Sequence, residues 1–243
     1  MIPIFRWDAP DPYHVAFSTR IGGVSDGAFE SLNLGILTGD EPGRVIENRA
    51  RLCRKAGIEP ERATMLWQQH GAGVVKATAD RGVLTAGFDH PPGDALWTDE
   101  ADLALMLITA DCLPVAVARA DGAEPALAVL HVGWRGLLEG IADAAVAAIA
   151  NGQLEAVIGP GIGPCCYEVG EEVAEPFTRR FGPEVLQGRN LDLYTATEKA
   201  LQAAGCGRVE RVEMCTSCHP DLFFSHRRDG ARTGRQGVVA RIA

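Results

Sequence analysis

Long apolar runs are missing from this sequence. The longest, LALMLITA from Leu103 to Ala110, falls far short of the ~20 residues that a membrane-spanning helix needs. The opening MIPIFRWDAP has no basic segment followed by an apolar one, so no secretory signal is read there and a cytoplasmic location with no membrane partner is expected. Cations are in the minority: 23 Lys and Arg stand against 32 Asp and Glu, a net charge of -9. Such a chain is a poor general binder of nucleic acid, whose phosphates require clustered Lys and Arg; a local basic pocket for a small anion stays open. Repeats, low-complexity tracts and linker-like charge runs are absent. Aromatics are scarce at 6% while Ala and Gly are plentiful, which suits small-residue packing of helices on sheets. Seven cysteines, an odd number without export, argue for thiols or ligands rather than a disulfide framework.

What is present alternates between strand and helix patterns. HVAFSTR (14–20) reads as a strand ending in a Gly-rich turn, and PGRVIENRARLCRKAG (42–57) as a helix with Pro42 in its first turn, Gly57 at its end and Ile46, Ala50 and Cys53 on one face. LALMLITADCLPVAVAR holds two apolar runs broken at Asp111–Pro114, and ALAVLH (126–131) is a short buried strand. GLLEGIADAAVAAIA (136–150) reads as one Ala-rich helix. EAVIGP follows as a strand, then VGEEVAEPFTRRFG as a helix that Pro176 must kink or divide. LDLYTATEKALQAAG is a helix capped by Asp192 and stopped at Gly205, and RVERVEMCT alternates as a strand. The most loop-like stretch is LTAGFDHPPGDAL (84–96). It does not separate two distinct halves. The expectation is therefore a mixed α and β fold, a single layered domain over 1–243 with a mixed β-sheet core flanked by helices.

Two places invite metal chemistry. CTSCH, Cys215 to His219, fits the covalent haem pattern and offers soft ligands to zinc. Haem attachment conflicts with the expected compartment, and two Cys and one His need a further ligand that the sequence does not name. The second place is dispersed. Strand-like runs end at Cys112 and at His131, and His70 stands between a short apolar run and a Gly-x-Gly turn. Rigid strands deliver side chains to a shared edge. Two imidazoles and one thiolate make a zinc set with one position open. Spacing alone does not choose between that set, a Cys112–His131 nucleophile pair and unrelated residues. GPGIGPCC (159–166) lacks the Lys-Ser/Thr of a P-loop and the G-x-G-x-x-G of a dinucleotide fold, and Cys165 and Cys166 read as buried small residues. No two of the six His stand one residue apart, so the paired His-x-His motifs of a multicopper laccase are absent.

Several long motifs stand in one order and span nearly the whole chain: FSTRIGGVSDGAFESLNLG, ENRARL, QQHGAGVV, DALWT, LITADCLPV, LHVGWRG, IGPGIGPCCYEVGEEV, LDLYTATEKAL and FFSHRRDGARTGRQG. Together they resemble the YfiH/YlmD-type laccase-domain family, described as polyphenol oxidases and as purine nucleoside phosphorylases. Val132 departs from the usual Ala beside a ligand. The resemblance implies a fold similar to the YfiH and cysteine-deamidase-toxin proteins. It implies zinc held by His70, Cys112 and His131, with copper an alternative occupant. It implies phosphorolysis of adenosine, inosine and methylthioadenosine, with adenosine deamination beside it. Small nucleosides and phosphate are the implied partners, and a monomer or weak dimer is expected. Cys112, His131 and Asp111 are the catalytic candidates; Asp111 is a partner of the ligands or a proton acceptor, or else a turn residue before Pro114. Arg49 and Arg135 are the phosphate candidates, with Arg20, Arg227 and Arg228 weaker. A Cys–His hydrolase or amidase acting on peptidoglycan precursors, or a copper-dependent polyphenol oxidase, is the alternative activity.

Overall fold

A computed structural model describes residues 2–79, 82–85, 90–122 and 124–243. Two mixed β-sheets lie face to face. The five-stranded sheet runs Ile4–Arg6, Tyr13–Ser18, Gln236–Ile242, Ala104–Thr109, Ala63–Thr64. The six-stranded sheet runs Cys206–Arg211, Leu154–Ile158, Leu113–Arg119, Leu127–Val132, Ala95–Thr98, Val74–Lys76. In each sheet an antiparallel centre meets parallel pairs at the margin.

The period of two along the strands builds the layers. Ala116 and Ala118 face the other sheet, joining Leu105, Leu107, Phe17, Val238 and Val129 in one buried cluster. Their neighbours Val115 and Val117 face the opposite way, into a cluster with Leu137, Ile141, Ala145, Phe177 and Leu201. Those residues belong to helices Trp134–Glu139, Ile141–Ala148, Glu171–Phe181 and Leu193–Ala204. On the far side, Ala104, Met106 and Val239 pack on Leu52, Cys53 and Ala56 of helix Pro42–Ala56. The result is a helix–sheet–sheet–helix stack, a mixed α and β fold with helices flanking a mixed-sheet core. Among the described residues no helix is long and apolar enough to cross a membrane.

Local differences from the sequence reading have physical causes. The expected helix over 136–150 is two helices, because Gly140 takes φ 94° and closes the first with a left-handed cap. Pro176 lies inside helix Glu171–Phe181 without dividing it. Asp192 caps Leu193–Ala204 by accepting the Thr195 N–H, and Gly205 ends that helix at φ 115°. Of the loop over 84–96, residues 86–89 lie outside the described residues, and Ala95 and Leu96 are buried strand. Ile46 is only half-buried, whereas Asn48 and Arg49 are buried on the same helix.

Candidate metal centre and its cavity

The break at Asp111–Pro114 is where the chain leaves one sheet for the other. Strand Ala104–Thr109 belongs to the five-stranded sheet and Leu113–Arg119 to the six-stranded one. Cys112 therefore stands on the seam. The antiparallel register pairs Leu113 with Val132 and Pro114 with His131, and Ala95 with Leu130. Extended by one residue at each end, it sets Cys112 beside Gly133 and Asp94 beside His131. A side chain at Gly133 would put its Cβ 3.1 Å from the Cys112 Sγ and 3.5 Å from the His70 ring. His70 enters from the loop ahead of strand Val74–Lys76 with φ 62°, a conformation that non-glycine residues hold only when their surroundings enforce it.

Asp94 is what enforces it. Its buried carboxylate accepts the backbone N–H groups of Gln69, His70 and Gly71 at 3.1, 2.9 and 2.7 Å. It also holds His131 Nδ1 at 2.7 Å, and its own carbonyl accepts the His131 N–H at 2.7 Å. With Nδ1 engaged, His131 has Nε2 free to serve as a ligand, the arrangement usual for metal-bound histidine. Burial pushes the Asp94 carboxyl up, but the His131 ring and the N–H groups of Gly71 and His70 more than offset it, leaving it below the ordinary carboxylate range.

Ligand atoms of His70, Cys112 and His131 lie within 4.8 Å of one another. The two imidazoles meet edge to face, with centroids 4.7 Å apart. Burial opposes ionisation of Cys112, yet the His131 and His70 rings pull its thiol down to about 6. Burial likewise opposes protonation of His131, while Cys112 and Asp94 raise it to about 9. A thiol already inclined to thiolate beside an oriented imidazole is the donor chemistry that zinc accepts, and these residues fit such an ion.

The cluster forms part of the wall of a cavity of about 620 Å³. Arg135 lies on its rim, exposed, with its guanidinium 4.7 Å over the Trp134 ring. Arg227 stacks on Tyr167 at 5.2 Å, and half-buried Arg235 lines the same space. Arg49 also reaches the cavity, but not from the surface position usual for a helical arginine. It is 1% exposed and donates to the carbonyls of Leu34 and Val83. Asp111, at φ 90°, accepts from Thr216 Oγ1 at 2.6 Å and from the Arg227 N–H at 2.6 Å. It anchors the turn that carries Cys112 to two other segments. Arg20 and Arg228 are tied into carbonyl and ion-pair contacts: Arg20 to Glu30 and Pro220, Arg228 to Asp229 and Thr216. Trp134 is part of the cavity wall.

Residue patterns did not single out Asp94, Arg235, Tyr167 or Gln68. Gln68 pairs its amide with both backbone groups of Ile108, at 2.7 and 2.9 Å, and so pins the His70 loop to the five-stranded sheet. The available signal for Asp94 was a lone carboxylate at the mouth of an apolar strand, in DALWT. The second glycine of GWRG has its reason here: a Cβ at Gly136 would lie 2.5 Å from the Gly71 carbonyl oxygen. Gly136→Ala should therefore destabilise the fold by about 1–3 kcal/mol, read as a lowered midpoint in urea; an unchanged midpoint would mean that the His70 loop yields freely.

Residues 14–243 match the family described as "Multi-copper polyphenol oxidoreductase laccase". The purine nucleoside phosphorylase YlmD of Geobacillus stearothermophilus is 40% identical over 237 residues, covering 90% of this chain and 86% of that protein. The chain belongs to the YfiH/YlmD family. The family's purine nucleoside phosphorylase YfiH of Escherichia coli is 36% identical, covering 95% of this chain and 94% of its own. The crystal structure of the Geobacillus YlmD superposes with a TM-score of 0.89 at 35% identity, covering 98% of this chain and 96% of that one. A YfiH structure from Bacillus licheniformis, 30% identical, also reaches 0.89 and covers 99% of both chains. The fold and family expected from the motifs are those found.

Proposed function

We propose that this YfiH/YlmD-family chain, acting as one catalytic domain over residues 1–243, is a zinc-dependent purine nucleoside phosphorylase for adenosine, inosine and methylthioadenosine. The observation that carries this reading is the gathering of His70, Cys112 and His131 on the wall of a cavity that also presents Arg135, Arg227 and Arg235. Three N and S ligands leave a tetrahedral zinc one open position, and the ion when bound supplies Lewis acidity to a substrate oxygen or water. The cavity volume suits a nucleoside. Arg135, together with the guanidinium nitrogens that Arg227 and Arg235 do not already give to the carbonyls of Glu168, Thr233 and Gly234, offers a phosphate dianion charge-assisted donors in an otherwise acidic protein. Trp67, Trp134 and Tyr167 offer ring faces for a purine. Arg49 is assigned to bracing the cavity wall, with phosphate contact secondary, because two of its donors are committed to carbonyls. Asp111 is assigned to positioning Cys112, because both its oxygens already accept hydrogen bonds. That the Geobacillus and Escherichia coli relatives are purine nucleoside phosphorylases supports phosphorolysis. Adenosine deamination is proposed as a side activity of the same centre. Copper binds such donors strongly, but two imidazoles here, with no His-x-His pair in the sequence, do not build a laccase's several coppers.

One observation favours a second reading. Cys112, His131 and Asp94 form a thiol–imidazole–carboxylate chain, the arrangement of a cysteine hydrolase, which keeps an amidase acting on peptidoglycan precursors as the rival. Metal analysis followed by an adenosine assay separates the two. Adenine release that requires phosphate and is abolished by a chelator is expected. Full activity in metal-free protein would end the zinc reading, and inosine formation without phosphate would make deamination the main reaction.

A further inference from the structure

The CTSCH turn does not join the His70–Cys112–His131 centre, and it is not alone. The turn at Gly163–Tyr167, closed by the Cys166 and Tyr167 N–H groups on the Gly163 carbonyl at 3.0 and 3.1 Å, brings Cys165 and Cys166 against it. Cys165 is exposed and Cys166 half-buried, so neither is the buried small residue that its Gly- and Pro-rich setting suggests. The Sγ atoms of Cys165, Cys166, Cys215 and Cys218 all lie within 4.8 Å of one another, and Cys218 Sγ is 3.4 Å from both Cys165 and Cys166. Four sulfurs about a zinc at ~2.3 Å would stand roughly 3.8 Å apart, so the set needs little adjustment to close on one ion.

Three further features point to a ligand rather than to chance crowding. The Cys218 N–H closes the second turn on the Cys215 carbonyl at 3.2 Å, so both cysteine pairs are presented by tight turns. A Cβ at Gly163 would lie 3.3 Å from Cys215 Cβ and 3.4 Å from Cys165 Sγ, so glycine lets the two turns meet this closely. His219, the fifth soft donor, is turned to the Cys215 carbonyl at 2.9 Å and leaves the four sulfurs as a complete set. The ligand that could not be named for CTSCH from its own residues is the Cys165–Cys166 pair, some fifty positions earlier in the chain.

We propose that Cys165, Cys166, Cys215 and Cys218 bind a second zinc ion in a closed four-thiolate site that clamps the Gly163–Tyr167 turn to the Cys215–Cys218 turn. Zinc exchanges the thiol protons for four Zn–S bonds with no change of oxidation state. A site with all four positions filled by protein is structural and leaves none for substrate. Its position gives it reach into the cavity wall. Thr216, inside one turn, donates to Asp111 beside Cys112, and Tyr167, at the end of the other, lines the cavity. The Ile162 N–H also bonds the Asp111 carbonyl at 2.8 Å, and the Thr216 N–H bonds the Gly161 carbonyl at 2.9 Å.

Elemental analysis and native mass spectrometry of the full chain, purified anaerobically with reductant and zinc, test the proposal independently of the first centre. Wild type is expected to carry two zinc ions, the Cys165→Ser/Cys218→Ser double variant one, and Cys112→Ala one. In Cys112→Ala exchanged into cobalt(II), intense sulfur-to-metal charge-transfer absorption of a tetrathiolate site is expected. If the first centre does not hold zinc, wild type carries one ion and Cys112→Ala keeps it, which leaves the present proposal standing. The proposal is overturned if Cys112→Ala folds with no zinc, if the double variant holds as much zinc as wild type, or if the anaerobic chain carries a disulfide among these four residues. Should Cys112→Ala fail to fold, the difference of one ion between wild type and the double variant decides.

Discussion

Cys112→Ala should lose the ion at the His70–Cys112–His131 centre and with it phosphorolysis, kcat/KM for adenosine falling at least ~10³-fold, or about 4 kcal/mol of transition-state stabilisation. The reason is the donor set. Cys112 is its only thiolate, and without it two imidazoles remain, too few to retain zinc against water. His70→Ala should behave alike, because His70 has no other chemical task in this reading. That equality separates the two mechanisms. If Cys112 were a nucleophile and His131 its base, His70→Ala would keep most of its activity while Cys112→Ala kept none. The acid limb of zinc uptake carries the same information. A zinc ligand must be thiolate, and the Cys112 thiol is drawn down to about 6, so thiolate is present above that value and lost as pH falls through it. His131, raised to about 9, must give up its proton as well, so zinc affinity at this centre should weaken as pH falls below about 9 and more steeply below about 6, measured by competition with a chromophoric chelator in the Cys165→Ser/Cys218→Ser background.

The second large effect is expected at Asp94, which the cavity does not touch. Asp94→Ala removes the acceptor of three consecutive N–H groups and of the His131 ring in one step. Leaving such donors unpaired costs about 1–3 kcal/mol for each that water does not reach, so a loss of about 3–5 kcal/mol of stability is expected in urea unfolding. The His70 backbone at φ 62° then has nothing to hold it, and zinc affinity should fall about 10–100-fold, as for other partners that orient a metal-bound histidine. Asp94→Asn tests orientation apart from volume. Its amide can accept through only one oxygen and meets N–H donors with an N–H of its own, so it too should lose affinity. The pH dependence follows from the lowered carboxyl. Its stabilisation is full above the ordinary carboxylate value of ~4 and disappears as pH falls through the lower folded value. The gap between wild type and Asp94→Ala should thus be widest near neutral pH and shrink in acid. A gap independent of pH would mean that Asp94 acts by shape alone.

Most of the fold was legible because strands and helices announce themselves locally. The continuous apolar run over 113–118 is the pattern of a strand buried on two faces, and the helices over Pro42–Ala56 and Leu193–Ala204 begin after the carboxylates that cap them, Glu41 and Asp192, and end at the left-handed glycines Gly57 and Gly205. What local pattern missed was also local in kind. One glycine, Gly140, was enough to turn an Ala-rich run into two helices, because a left-handed residue inside a helix ends it whatever the propensity on either side.

For the candidate site, the sequence by itself determined the inventory: which imidazoles and thiols stand at strand ends, and the absence of paired histidines. The motifs added the family, and with it the expected set His70, Cys112 and His131. Only the tertiary structure decided which side chains meet. Asp94 and His131 are brought together by the register of Ala95–Thr98 on Leu127–Val132, and four cysteines meet because a turn near residue 165 abuts one near 217. Donor chemistry is a property of single residues and can be read one letter at a time. A ligand shell is a property of distances between residues far apart in the chain, and those distances exist only after two sheets have chosen their register and packed.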